Sequence, residues 1–228
     1  MFKRHKTFNL FYILILLFNI YALAQHNQLL RMVAMPLIGM SLILYLIIKT
    51  KLQEQFDKLI FGGLVLSMAG DIQLLFTSEA EFYLLTALIA TLLGYILYSL
   101  AYFIDFKRDP GKPKRIGNIL LVMLIITNVT FFSASALGDF IYPALAYNLF
   151  LAIMVVLSGY RFKRVNRSSF KLILTGSFAF VISDLSIGYY YFIEAESSMM
   201  YSFLLTYLVA QYLVVMGTIE RKVAQNLS

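Results

Sequence analysis

Eight long apolar runs, each parted from the next by a short polar stretch, constrain this chain more than any other feature. They are Phe8–Ala24, Leu29–Ile48, Leu59–Phe76, Phe82–Ile104, Ile116–Ser133, Phe140–Tyr160, Leu172–Ile193 and Met200–Ile219. A helix crosses the hydrocarbon of a bilayer with roughly 20 apolar residues at ~1.5 Å each. Branched and aromatic residues in these runs would also suit strands, but barrel strands alternate apolar and polar over about 10 residues, and these runs do not alternate. The composition agrees: the chain is 61% hydrophobic and 14% charged, where soluble domains run near ~45–50% and ~25%. The expected fold is all-α, a polytopic membrane bundle of eight transmembrane helices forming one integral membrane domain over residues 1–228. The loops are too short to hold an independent core, so any chemistry must be built from residues inside the bundle.

Charge placement orients the bundle. Eighteen of the nineteen Lys and Arg fall in the N-terminal tail, the even-numbered loops and the C-terminal tail: Lys3, Arg4 and Lys6; Lys49, Lys51 and Lys58; Lys107 through Arg115; Arg161 through Lys171; Arg221 and Lys222. Arg31 is the exception. The opposite loops hold the acids Glu79, Glu81, Asp139, Glu194 and Glu196. Basic loops remain on the cytoplasmic side, so both termini are expected there, in a bacterial-type inner or plasma membrane. A net charge of +7 would also suit a nucleic-acid binder, but the same rule already accounts for these loops. No nucleic-acid partner is expected; membrane lipids with anionic headgroups are.

The N-terminus carries one ambiguity. Lys3, Arg4 and Lys6, an apolar stretch and then Ala22-Leu23-Ala24 before Gln25 resemble a signal peptide with a small-residue cleavage site. The apolar stretch exceeds the usual ~7–15 residues of such a region, so a retained first helix is the expectation. Cleavage would leave seven spans.

Two acids interrupt the apolar pattern. Asp71 and Asp184 are the only acidic residues of the chain that fall inside a span. A charged carboxylate near mid-bilayer costs about 2.5–3.5 kcal/mol on insertion scales, so such residues face a polar interior, are protonated, or are paired. Their surroundings match: GGLVLSMAGDIQLLF in the third span and TGSFAFVISDLSIGYYYF in the seventh each place a glycine eight residues before the aspartate and a small residue just before it. Pro36 and Pro143 correspond roughly as well. A parallel 4+4 repeat about the membrane normal would explain this. Gly63, Ser67 and Asp71 share one helix face, as do Gly176, Phe180, Asp184 and Gly188. Small residues let helices approach closely in lipid, so each aspartate also has a bland reading as a protonated packing residue.

Depths at ~1.5 Å per residue from each outer boundary put Asp71 at roughly 9 Å, Tyr147 at roughly 12 Å, Asp184 at roughly 15 Å and Gln211 at roughly 17 Å. On the same scale Tyr95 and Tyr98 lie at roughly 20 and 24 Å. The first four converge on one cavity in the outer half of the bilayer, with the tyrosines as its floor. Asp71 and Asp184 are the candidate catalytic pair; Tyr95, Tyr98, Tyr147 and Gln211 are the candidate substrate-binding residues. Burial favours the neutral form of a carboxyl, so an intramembrane pair can divide the roles of acid and carboxylate, the pattern used on acid-labile ether and acetal bonds.

Other chemistries lack their residues. His5 and His26 are the only histidines and there is no cysteine, so a catalytic zinc site with its three protein ligands is not expected. No lysine lies mid-span for a Schiff base, and no GxSxG elbow occurs. No metal and no cofactor are expected.

At these residues the chain resembles the YhhN family, whose characterised members include lysoplasmalogenases. The resemblance is carried by Pro36-Leu37, by Leu66-Ser67-Met68-Ala69-Gly70-Asp71 with Leu74, by Tyr98 with Phe103, by Pro143 with Tyr147, by Ser183-Asp184, and by Ala210-Gln211 with Gly217. The family commonly has Lys where this chain has Met35, and His where it has Tyr95. The resemblance implies hydrolysis of the vinyl-ether bond of a lysolipid, with Asp184 as the acid, Asp71 as the carboxylate, and Tyr98, Tyr147 and Gln211 orienting water or substrate. A lysolipid or other amphiphile is then the partner. Two alternatives stand beside it: a proton-coupled transporter or channel, since paired intramembrane carboxyls serve both, and a non-catalytic lipid-binding relative, which the departures at Met35 and Tyr95 would suit.

Overall fold

Residues 4–77, 80–106 and 137–223 are described by the computed structural model of the chain. They form seven α-helices: α1 (Lys6–Ala24), α2 (Gln28–Thr50), α3 (Gln55–Leu74), α4 (Glu81–Phe106), α5 (Ile141–Tyr160), α6 (Arg167–Phe192) and α7 (Ser197–Ile219). A single 3-10 turn, Gly138–Phe140, leads into α5. The expected span Ile116–Ser133 lies outside the described residues. Among the described residues the sole β pairing is an isolated bridge between Val165 and Val223.

Six of the seven helices are long and apolar enough to cross a membrane. The other is α3, which carries Asp57, Lys58 and Asp71 within its 20 residues. Polarity across the bundle is inverted relative to a water-soluble fold. Leu10, Phe11, Leu14 and Leu17 on α1, Val33, Leu44 and Ile48 on α2, and Phe178 and Ile182 on α6 are all more than half exposed. Asn19, Ser67, Asp71 and Gln211 are buried. An apolar exterior of that extent needs lipid against it, and a fully helical backbone satisfies its own hydrogen bonds there. The chain is a multi-pass helical membrane protein.

Helix ends follow local chemistry. Asn27 caps α2 by accepting from the Leu30 N–H at 3.1 Å, as short polar side chains do at helix starts. Lys51 closes the helix in the left-handed region, φ 53°. The Glu54 N–H donates to Asp57 Oδ2 at 3.3 Å, which starts α3 several residues before its apolar run. α7 is the hub, packed along α6 and touching α1, α2 and α3, while α3 lies along α4. Both paired contacts depend on glycine. A Cβ at Gly63 would meet the Tyr98 ring at 2.3 Å, and one at Gly176 would meet the Ala210 carbonyl at 3.1 Å. α1 is tied in by Tyr12, whose hydroxyl donates to the Leu208 carbonyl at 2.8 Å, and by Asn19, whose Nδ2 donates to the Ala34 carbonyl at 2.9 Å.

Both described chain ends meet at one end of the bundle, where His5 contacts Tyr45 near the end of α2 and Glu220 just after α7. The same end holds a buried ion cluster. Asp105 receives Arg161 Nε at 2.9 Å on Oδ2 and Arg221 Nη2 at 2.5 Å on Oδ1, and Arg221 also pairs with Glu54. Arg161 is 0% exposed and Asp105 2%. The Arg161 Nη2 donates to Ser169 Oγ at 3.0 Å, and that hydroxyl donates to the Gly217 carbonyl at 2.6 Å. Both guanidinium groups lie over the Phe56 ring, and both Asp105 oxygens are engaged by them, so the buried charges are shared.

Candidate active site

At the opposite end the bundle is hollow. A cavity of about 450 Å³ runs inward from Leu84 of α4, Leu137 and Ala144 at the start of α5, and Tyr189 through Ile193 at the end of α6. Its walls are mostly apolar, and Asp71, Asp184, Tyr147, Asn148, Thr91 and Tyr207 are among its polar members, with Tyr189 and Tyr191 nearer the rim. Asp71 comes from the last turns of α3 and Asp184 from the cavity-side third of α6, so two helices that the sequence reading treated as counterparts supply one carboxyl each.

Each carboxyl is held by a tyrosine. The Tyr207 hydroxyl donates to Asp71 Oδ2 at 2.7 Å, and the Tyr95 hydroxyl donates to Asp184 Oδ2 at 2.7 Å. Tyr207 lies on α7 and Tyr95 on α4. Behind the first contact, Gln211 Nε2 donates to the Tyr207 hydroxyl at 3.0 Å while Gln211 Oε1 accepts from Tyr98 at 2.9 Å. Behind the second, the Tyr147 hydroxyl donates toward Tyr95 at 3.4 Å. Both carboxyls line the cavity. Phe180 packs among the rings of Tyr95, Tyr98 and Tyr207 and keeps water from that layer.

The structure thus brings Asp71, Asp184 and Tyr147 to one cavity wall. Tyr95, Tyr98 and Gln211 are fully or almost fully buried and stand one layer behind the wall, where they hold the groups that face the cavity. Depth along each helix was readable from the sequence; which neighbour stands between a side chain and the cavity was not. Two residues escaped the sequence reading. Tyr207 sits four residues before Gln211, on the same face of α7, and that spacing was its signal. Asn148 follows Tyr147 inside an apolar run, and the cost of an amide in lipid marks it as the two aspartates are marked.

The departures noted above also find places. Tyr95 fills its position with a hydroxyl donor to Asp184. Met35 is buried beside Asn19, Arg31 and Met200. Two carboxyls oriented by phenols on an apolar cavity can donate a proton, accept one, and stabilise a cation between those events.

A comparison with family models matches residues 30–218 to the YhhN family. Comparisons with curated proteins and with solved structures give no match to this chain.

Proposed function

We propose that this chain, which belongs to the YhhN family over residues 30–218, is an intramembrane hydrolase that cleaves the vinyl-ether bond of a lysolipid. The observation that carries the reading is the pair of carboxyls on one apolar cavity, each oriented by a tyrosine from another helix. Asp184, neutral, protonates the outer vinyl carbon. The carbon bonded to the ether oxygen becomes an oxocarbenium cation, which the Asp71 carboxylate stabilises. Water adds to that carbon and gives its proton to Asp71. The resulting hemiacetal returns its hydroxyl proton to Asp184 and breaks its bond to the glycerol oxygen, which takes the proton held by Asp71, so a fatty aldehyde and a free glycerol hydroxyl leave and both carboxyls are reset. One water is consumed and the protons balance, as general acid–base catalysis requires. Apolar walls suit the alkenyl chain, and Tyr147 and Asn148 are placed to orient water.

Eight spans with both termini cytoplasmic belong to the same proposal. α4 ends at the ion-cluster end and α5 begins at the opposite end, which an apolar run between them accommodates. The parallel repeat is supported by register: 113 residues separate Gly63 from Gly176, Asp71 from Asp184, and Tyr98 from Gln211. Tyr98 and Gln211, counterparts in that register, are hydrogen-bonded to one another.

The deciding experiment is aldehyde release from a 1-alkenyl lysophospholipid by purified protein in detergent. Turnover without any ion gradient supports the hydrolase. Lysolipid binding with no aldehyde released refutes it and favours the lipid-binding alternative, while gradient-dependent uptake into vesicles favours the transporter.

A further inference from the structure

A phosphate-bearing lysolipid brought to this cavity meets an electrostatic problem. The described residues of its wall include two aspartates and no Lys, Arg or His. A phosphate drawn into such a space needs a cation close by, since charge-assisted contacts to phosphate are what offset its lost hydration.

Arg31 is the one cation of the chain that stands apart from the basic loops. It lies in the first turn of α2, at the hollow end of the bundle. With Asn19, Met35, Met200 and Phe203 it lines a second cavity of about 20 Å³, and Phe203 is at the same time a wall of the main cavity. Its charge also acts on Tyr191, another wall residue, whose hydroxyl meets Thr77 Oγ1 at 2.9 Å. Arg4, Arg161 and Arg221 all form ion pairs; Arg31 forms none among the described residues. An arginine without an acid partner among the described residues, half-buried and flanking a cavity through a shared phenylalanine, retains its planar set of donors for an incoming oxyanion.

We propose that Arg31 recognises the headgroup phosphate of the substrate, beside the cavity wall at Phe203, while the ether-linked carbon reaches Asp71 and Asp184. This rests on the hydrolase reading above and adds to it the residue that selects a phosphorylated over a neutral amphiphile. Arginine near a helix end also snorkels to bulk lipid headgroups, and the experiment separates that role from substrate recognition.

Hydrolysis of a 1-alkenyl lysophospholipid is compared with that of the phosphate-free 1-alkenyl glycerol for wild type, Arg31→Gln and Arg31→Lys. The glutamine variant raises KM for the phospholipid roughly 10-fold or more, as loss of a charged contact does, with kcat and the neutral substrate unchanged; lysine restores part of the loss. Retained turnover of the neutral substrate reports that the variant is folded. A KM change shared by both substrates, or absent from both, overturns the proposal. Binding is read separately as thermal stabilisation by a 1-alkyl lysophospholipid, which cannot be hydrolysed. That ligand stabilises wild type and not Arg31→Gln, a result that holds even where no aldehyde is released and only the hydrolase reading has failed. Equal stabilisation of both proteins, or a shift as large with inorganic phosphate alone, overturns the headgroup assignment.

Discussion

Removing the hydroxyl of Tyr207 and that of Tyr95 in parallel distinguishes the two carboxyls by role. Each hydroxyl donates to one aspartate at 2.7 Å, so Tyr207→Phe and Tyr95→Phe delete geometrically equal contacts. Their energies differ if one carboxyl is ionised during turnover and the other neutral. A hydrogen bond to a charged group is worth about 1.5–3 kcal/mol and one between neutral groups about 0.5–1.5. At ~1.36 kcal/mol per decade, Tyr207→Phe should lower kcat roughly 10- to 100-fold, and Tyr95→Phe roughly 2- to 10-fold. Tyr207→Phe also strands Gln211 Nε2, which donates to that hydroxyl at 3.0 Å. The buried amide then costs about 1–3 kcal/mol of stability, or several degrees of Tm for a chain of this size. The assay is aldehyde release at saturating substrate, with detergent-phase thermal unfolding run beside it to separate rate from stability. A larger kcat loss in Tyr95→Phe reverses the assignment of acid and carboxylate. Wild-type kcat in both variants refutes the two-carboxyl mechanism.

Four further outcomes follow from the same geometry. Asp71→Asn and Asp184→Asn each abolish turnover, and the double variant is no worse than either, because groups acting as a unit are not additive; full activity in one single variant at normal expression contradicts this. Tyr95→His preserves a donor to Asp184 and retains more activity than Tyr95→Phe, measured by the same release assay. Gly63→Ala drives a methyl to 2.3 Å from the Tyr98 ring and costs about 1–3 kcal/mol of stability, whereas Gly159→Ala, with nothing within 4 Å of the new Cβ, leaves thermal unfolding unchanged or slightly raised. Reporter fusions at Lys112 and Ser228 read cytoplasm and those at Glu79 and Glu194 read outside; an outside report at Lys112 would break the eight-span topology.

The helices and the two carboxyls were legible for the same reason: lipid permits few alternatives. A long apolar run has to be a helix there, and an acid within it has to be accounted for. Tyr207 was hidden because hydroxyls are common in this chain, which has 16 tyrosines, and most tyrosines near a membrane are packing or interfacial groups. Depth along α4 suggested Tyr95 and Tyr98 as a cavity floor; only the packing of α5, α6 and α7 determines that Tyr147 reaches the cavity while Tyr95 and Tyr98 stop behind it. Arg161 and Asp105 illustrate the converse. In the sequence they are two ordinary charges at helix ends, 56 residues apart, and Arg161 counts toward the basic loops. Their near-total burial comes from Phe56, Ser169 and Arg221 closing over them, and no periodicity in the sequence announces that.

The Asp105 cluster fastens the start of α3, the ends of α4 and α5, the start of α6 and the residue two beyond α7 to one point. Parting such a buried pair costs about 3–5 kcal/mol, which leaves a detached population below about 1%. An opening that admitted the proposed amphiphile would then turn about that point, the far tips of α5 and α6 swinging apart while their near ends stay put. A swing of that kind would displace Asp184, about two-thirds of the way along α6, somewhat less than Tyr191 at the rim. The fulcrum would thus widen the entrance more than it shifts the Asp184 carboxyl.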